Sequence, residues 1–145
     1  MALIFDAKVA LFNAVKAVLP GGVQCTFAET VKQDRRKQVW FGATTDDDLA
    51  PVAMRSGAKP TNVTGYVEVH AVAVIPGNPI DAERAVYELR DYVKTACGAL
   101  NSALAVVPGL LDVRAESASV ETSETTDGAY SELTLRVRVR GRVYQ

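Results

Sequence analysis

The sequence predicts an α+β domain: one mostly antiparallel sheet of about five strands with two helices packed on one face, in the order α-β-β-β-α-β-β. Three observations carry that prediction. Two stretches place apolar residues at three- and four-residue steps, the helical period. Several others alternate apolar and polar residues, as a strand with one buried face does. Glycine and proline pairs punctuate the boundaries between them.

The first helix is expected from Asp6, an N-cap residue type, to about Leu19, where Pro20-Gly21-Gly22 stops it. Phe5, Val9, Phe12, Val15 and Leu19 form the expected core stripe, widened by Leu11 and Val18. Val23, Cys25 and Phe27 then alternate with Gln24 and Thr26, which reads as a short strand. Residues 32–37 are basic and polar, as in a loop or hairpin tip, and Val39-Trp40-Phe41-Gly42 reads as a second strand. From 43 to 62 the pattern is lost. A structureless connection of that length inside a compact domain is unusual and often functional, so this segment is a candidate contact with a neighbour.

A third strand is expected at 64–75, with Val67, Val69, Ala71, Ala73 and Ile75 on one face and Tyr66, Glu68, His70, Val72 and Val74 on the other. Its second half is apolar on both faces, which places it mid-sheet or under another surface. Asn78 caps the second helix, with Pro79 at its first position and an acid at its third. The stripe Ala82, Ala85, Val86, Leu89, Tyr92, Val93, Ala96 and Cys97 marks its buried face. That helix ends near Gly98 or runs weakly on to Leu104, before Pro108-Gly109. A fourth strand begins near Leu111, and Thr125-Thr126-Asp127-Gly128 turns into the last, the Asp-Gly pair supplying the positive φ of a hairpin.

That last strand is the strongest period-2 stretch. Leu133, Leu135, Val137, Val139 and Val143 share one face, while Thr134, Arg136, Arg138, Arg140 and Arg142 share the other. The apolar face belongs to the core. The opposite face, with Glu121 and the serines and threonines of the fourth strand, carries guanidinium groups that need solvent, an anion or an acidic partner. Three readings of this stripe stand side by side. Charges on a strand can simply discourage aggregation. Arginine forks can pair with carboxylates of another subunit. They can also meet phosphate, either in a small nucleic-acid-binding α+β module or in the lumen of a ring through which DNA passes, where weak, sequence-blind contact suffices.

At 145 residues the chain has the size of one domain, 1–145 without linker or internal repeat. Hydrophobic residues at 48% and charged ones at 23% exclude a disordered or fibrous chain. The net charge of −1 makes the arginine stripe a local asymmetry and implies no bulk attraction to nucleic acid. Cys25 and Cys97 form no CxxC motif and read as buried free thiols. The N-terminus has neither the basic region nor the apolar run of a signal peptide, and no window approaches the ~20 apolar residues of a membrane span, so a soluble protein made in a cytoplasm is expected.

Catalysis has little to rest on. His70, the single histidine, shares a predicted strand face with Glu68 but no ligand cluster, and reads as a hydrogen-bonded structural or surface residue. Asp46, Asp47 and Asp48 lack the glycine and bidentate glutamate that a calcium loop needs at fixed offsets. Nucleophile-elbow and phosphate-loop patterns are absent. No catalytic residue, cofactor or metal is expected.

Taken in order, the helix ending in Leu19-Pro20-Gly21, the Val39-Trp40-Phe41-Gly42 strand, the variable loop, the valine-rich strand, the Asn78-Pro79 to Cys97 helix with its Glu-Arg-Ala start and the closing valine-arginine strand resemble tail terminators of tailed bacteriophages. These are the small proteins of the minor tail protein U type, here in an actinophage-like form. The resemblance covers nearly the whole chain and rests on the order of short motifs. It implies a non-enzymatic virion protein, assembled in the host cytoplasm as a hexameric ring on the head-proximal end of the tail. Such a ring stops polymerisation of the tube and docks to the head-to-tail connector. Its partners would be further copies of itself, the major tail tube protein, the connector or neck protein and, transiently, the DNA in its lumen, with no membrane. Neck and head-closure ring proteins have similar sizes and are the nearest alternative. On this reading Asp46, Asp47, Asp48, Arg55 and Lys59 of the long loop and Arg35 and Arg36 of the basic tip are expected to contact a subunit or the tube. The stripe of Arg136, Arg138, Arg140 and Arg142 is expected at an interface or the lumen.

Overall fold

The computed structural model describes residues 2–29, 36–46, 60–125 and 128–144. Helix α1 (Leu3–Val18) is followed by β1 (Val23–Thr26), β2 (Lys37–Asp46) and β3 (Pro60–Ile75). Helix α2 (Pro79–Asn101), a single 3-10 turn (Leu104–Val106), β4 (Leu110–Thr125) and β5 (Gly128–Tyr144) complete the chain. The α+β order is the predicted one. The five strands lie side by side as β1-β2-β3-β5-β4, with β1 parallel to β2 and every other pair antiparallel.

Both helices cover one face. Val67, Val69, Ala71 and Ala73 of β3 and Leu133, Leu135, Val137 and Val139 of β5 point into the core beneath them, as the alternation predicts. Burying such side chains contributes about 1.5–3 kcal/mol each for the larger ones, which is why a two-residue period dictates which face of the sheet the helices take. β3 lies mid-sheet, and Val72 and Gln38, paired across β2 and β3 on the face opposite the helices, are also buried.

Helix α2 follows its sequence closely. The Asn78 side-chain oxygen accepts from the backbone N–H groups of Ile80 (3.0 Å) and Asp81 (3.4 Å), and Pro79 opens the helix. The expected stripe is buried from Ala82 to Cys97 and extends to Leu100, except that Tyr92 stays 38% exposed. At the distal hairpin Gly128 takes φ +134°, a conformation that costs other residues strain.

Helix α1 departs from expectation twice. It begins at Leu3 with Ala2 as its cap, no side chain caps it, and Asp6 sits inside the first turn, its N–H donating to the Ala2 carbonyl (2.9 Å). There the carboxylate still favours the helix through the dipole. The buried stripe is Leu3, Ile4, Ala7, Leu11 and Val15, while Phe5 is 52% exposed and Val9 and Phe12 are half-buried. A helix apolar on most of its surface offers two competing stripes. The one that wins carries small Ala7 and sends Ile4 over Gly65, where a side chain would collide with it. Phe12 instead builds an edge-to-face cluster with Phe27 and Phe41, ring centroids 5.5 and 5.7 Å away, at the rim of the core. The expected one-sided burial of β1 is absent too, since all four of its residues are half-buried at the sheet edge.

Candidate functional site

The sheet face opposite the helices, here the far face, gathers the polar residues of β2, β3, β4 and β5. The strand register fixes who meets whom. Going along β5, Tyr130, Glu132, Thr134, Arg136, Arg138 and Arg140 lie beside Val74, Val72, His70, Glu68, Tyr66 and Thr64 of β3. On the β4 side Ser123, Glu121 and Ser119 face Tyr130, Glu132 and Thr134, and Arg114 and Asp112 face Arg138 and Arg140.

The arginine stripe is therefore assembled as the alternation predicts, but its residues differ in what they touch. Arg140 forks onto the Asp112 carboxylate, its Nε donating to both oxygens at 3.1 Å and its Nη2 to Oδ2. That fork holds the Asp112 carboxyl below the usual range, with Arg138 and Arg114 adding to the field. Arg138 pairs with Glu116 at 3.2 Å, while its buried Nε has no acceptor among the described residues. Arg136 lies over the Tyr66 ring, 3.7 Å from its centroid, a cation–π contact. Arg142 donates to the Asn62 side chain at 3.3 Å. Two of the four thus meet carboxylates of their own chain.

A second group on the same face was not foreseen as a unit. His70 stacks on Trp40 with ring centroids 3.8 Å apart and planes 9° from parallel. Its Nδ1 lies 3.3 Å from a Glu132 oxygen and 3.2 Å from the Thr134 hydroxyl, and its Nε2 lies 3.5 Å from Glu68. The Tyr130 hydroxyl donates to the other Glu132 oxygen at 2.8 Å, and burial, followed by that carboxylate, pushes the phenol up to about 12. Gly42 makes the stack possible: a Cβ there would fall 2.7 Å from His70 Nε2. His70 is thus half-buried and hydrogen-bonded. Among the described residues no set of three or more histidine, cysteine or acidic side chains is placed to hold a metal, and no helix is long and apolar enough to cross a membrane.

Of the remaining predicted contact residues, the two that are described lie at opposite ends of β2. Asp46 ends β2, opposite Gly65, whereas exposed Arg36 precedes the other end of that strand and its carbonyl accepts from Val74 N–H (2.8 Å). Arg35, Asp47, Asp48, Arg55 and Lys59 lie outside the described residues. Cys97 is buried and Cys25 half-buried, both free, and burial pushes each thiol up to about 11. Lys8, which reads as a polar position of α1, donates to the Gly42 carbonyl (2.9 Å) and the Thr44 hydroxyl (2.8 Å), tying the helix to the bulged part of β2. On the helix side Phe5, Val9 and Val106 flank a hollow of about 350 Å³, with Val106 66% exposed.

No protein-family model matches the chain, and no curated protein sequence is similar to it. Among solved structures the fold is similar to a sheath/tube terminator of an extracellular contractile injection system, PVC, in its extended state. The TM-score is 0.52 at 14% identity over 98% of this chain, which spans 56% of the length of that protein. A chain of the native gene transfer agent virion also aligns, over 92% of this chain and 94% of its own, with TM-score 0.45 and 15% identity.

Proposed function

We propose that this chain is a structural virion protein, a single-domain tail terminator that forms a ring on the head-proximal end of a phage tail tube, stops its growth and presents a surface to the head-to-tail connector. The observation that carries the reading is the fold, shared over 98% of the chain with a sheath/tube terminator. The element order that resembles phage terminators in the sequence agrees with it. A ring requires heterologous contacts that close by rotation, so each copy must offer two different surfaces. The far face offers two, its Glu121–Glu132 end and its Arg114–Arg138 end, and the large apolar side chains left in water beside α1 suit a protein that assembles.

The far face also weighs against the nucleic-acid module. A strand that grips phosphate should hold its cations free, whereas Arg138 and Arg140 are committed to Glu116 and Asp112. The test is the mass of the purified protein by light scattering across a concentration series, beside negative-stain images with and without tail tubes. Rings of about six copies, alone or on tube ends, are expected. A strict monomer that ignores tubes and binds DNA with steep salt dependence would overturn the reading.

A further inference from the structure

The register of β4 against β5 puts like charges directly opposite one another twice on the far face. Glu121 faces Glu132 toward the distal hairpin, and Arg114 faces Arg138 toward the other end. Like charges so placed weaken an antiparallel pair, so neither arrangement helps the isolated chain fold. Arg114 and Glu121 are exposed, and neither forms an ion pair with another described residue. The acidic end opens on a hollow of about 540 Å³ lined by Glu121, Glu132, Tyr130 and the hydroxyls of Ser119, Ser123 and Thr134.

The two ends carry balanced, opposite charge. Around the hollow, Glu121 and Glu132 sum to −2. At the other end Arg114, Arg136, Arg138, Arg140 and Arg142, less Asp112, Glu116 and the Glu68 that faces Arg136, leave +2. Glu132 and Arg138 are six residues apart along β5, roughly 20 Å at the ~3.3 Å rise of a strand. Charges that far apart are screened at physiological ionic strength, where the Debye length is about 8 Å. The ends cannot neutralise each other within one chain, yet one chain supplies both halves of a complementary contact.

We propose that the far face is the contact surface between copies of this chain, the acidic end around Glu121 and Glu132 of one copy seating against the arginine end around Arg114 and Arg138 of the next. This rests on the ring reading and names the surface by which the copies meet. The arrangement gives up some stability of the monomer for a partner of fixed polarity.

Charge reversal tests it. E121K and R114E each turn a like pair into an opposite pair, so each monomer should melt at or above the wild-type temperature. Each alone should raise at least tenfold the concentration at which light scattering detects assembly. The double reversal E121K/R114E puts lysine against glutamate at every contact and should assemble again near the wild-type concentration, with the same loss on adding salt. Assembly that ignores the single reversals, or a folded double variant no better than the singles, overturns the proposal. Rings that persist in all variants remove this contact and leave the terminator reading standing. A wild-type protein that never assembles overturns both.

Discussion

Replacing Gly65 by alanine probes how α1 is seated on the sheet. A Cβ at Gly65 would lie 2.7 Å from Ile4 Cγ2, 2.9 Å from Ile4 Cδ1 and 2.7 Å from the Thr45 carbonyl oxygen. Ordinary carbon contacts begin near 3.4 Å, so something must move by about 0.7 Å. Ile4 is fully buried, and the Thr45 carbonyl belongs to a strand whose register is held by the Thr45↔Tyr66 and Asp46↔Gly65 pairs. Neither can yield freely. Overpacking of this kind costs about 1–3 kcal/mol, and with backbone on one side the upper half, about 2–3 kcal/mol, applies. For a domain of this size that lowers the melting temperature by roughly 4–12 °C, read by far-UV circular dichroism. Ile4→Ala clears both methyl contacts, and the G65A/I4A pair should cost less than the sum of the singles by at least about 0.5 kcal/mol. A G65A protein melting within about 1 °C of wild type, or singles that simply add, would refute this seating of the helix.

Asn101→Ala should cost about 1–3 kcal/mol, because the Asn101 amide donates to the Val113 carbonyl (2.7 Å) and accepts from its N–H (2.8 Å), occupying backbone groups on the outer side of edge strand β4. Urea unfolding reads the loss, light scattering reads the aggregation that an opened edge invites, and no change in either contradicts the clamp. For Asp112 the folded-state carboxyl is depressed by the Arg140 hydrogen bonds, so the group stabilises the fold above its unfolded pKa and loses that contribution as pH falls through the lower folded value. Asp112→Asn should therefore flatten the fall of the urea midpoint as pH drops below the ordinary carboxylate range, and an unchanged slope counts against the fork. Cys97, buried and with its thiol pushed up to about 11, should react with an aromatic disulfide reagent at neutral pH only as fast as the chain opens, and urea should accelerate it. Rapid labelling of Cys97 in the native protein would place it elsewhere.

The sheet was legible because its strongest evidence is local. Alternation in β3 and β5 depends on a two-residue geometry that tertiary context cannot shift without turning every apolar side chain outward. The start of α2 was legible for a similar reason, since Asn78 and Pro79 each satisfy a requirement of the first turn itself. Helix α1 was misjudged where the deciding residues lie far away. Whether Phe5 or Ile4 faces inward depends on Gly65, some sixty positions along, and spacing within α1 contains nothing of it. The lost pattern expected from 43 to 62 hid two strand segments for a related reason. β2 runs to Asp46 and β3 starts at Pro60, and the Phe41/Thr44 bulge breaks the two-residue period that would have announced the extension.

The far face shows the same divide between what a strand says of itself and what only register reveals. The arginines could be placed on one face from β5 alone, and their opposition to the core follows from the leucines and valines between them. Their partners could not. Asp112 and Glu116 lie on β4, separated from one another by the kind of irregularity that shifts a register, and the Ala115/Ser117 bulge decides which arginine each acid meets. The hydrogen bonding expected of His70 is there, yet its network with Trp40, Glu132 and Tyr130 draws on three strands and needed Gly42 to admit the ring. Register also exposes what no single strand can show, the acid-on-acid and arginine-on-arginine pairs. A sequence selected for the stability of a lone chain would have little reason to keep either pair, because one charge reversal at exposed Glu121 or Arg114 would relieve it. Their presence is easiest to account for if the selected state has another copy against this face.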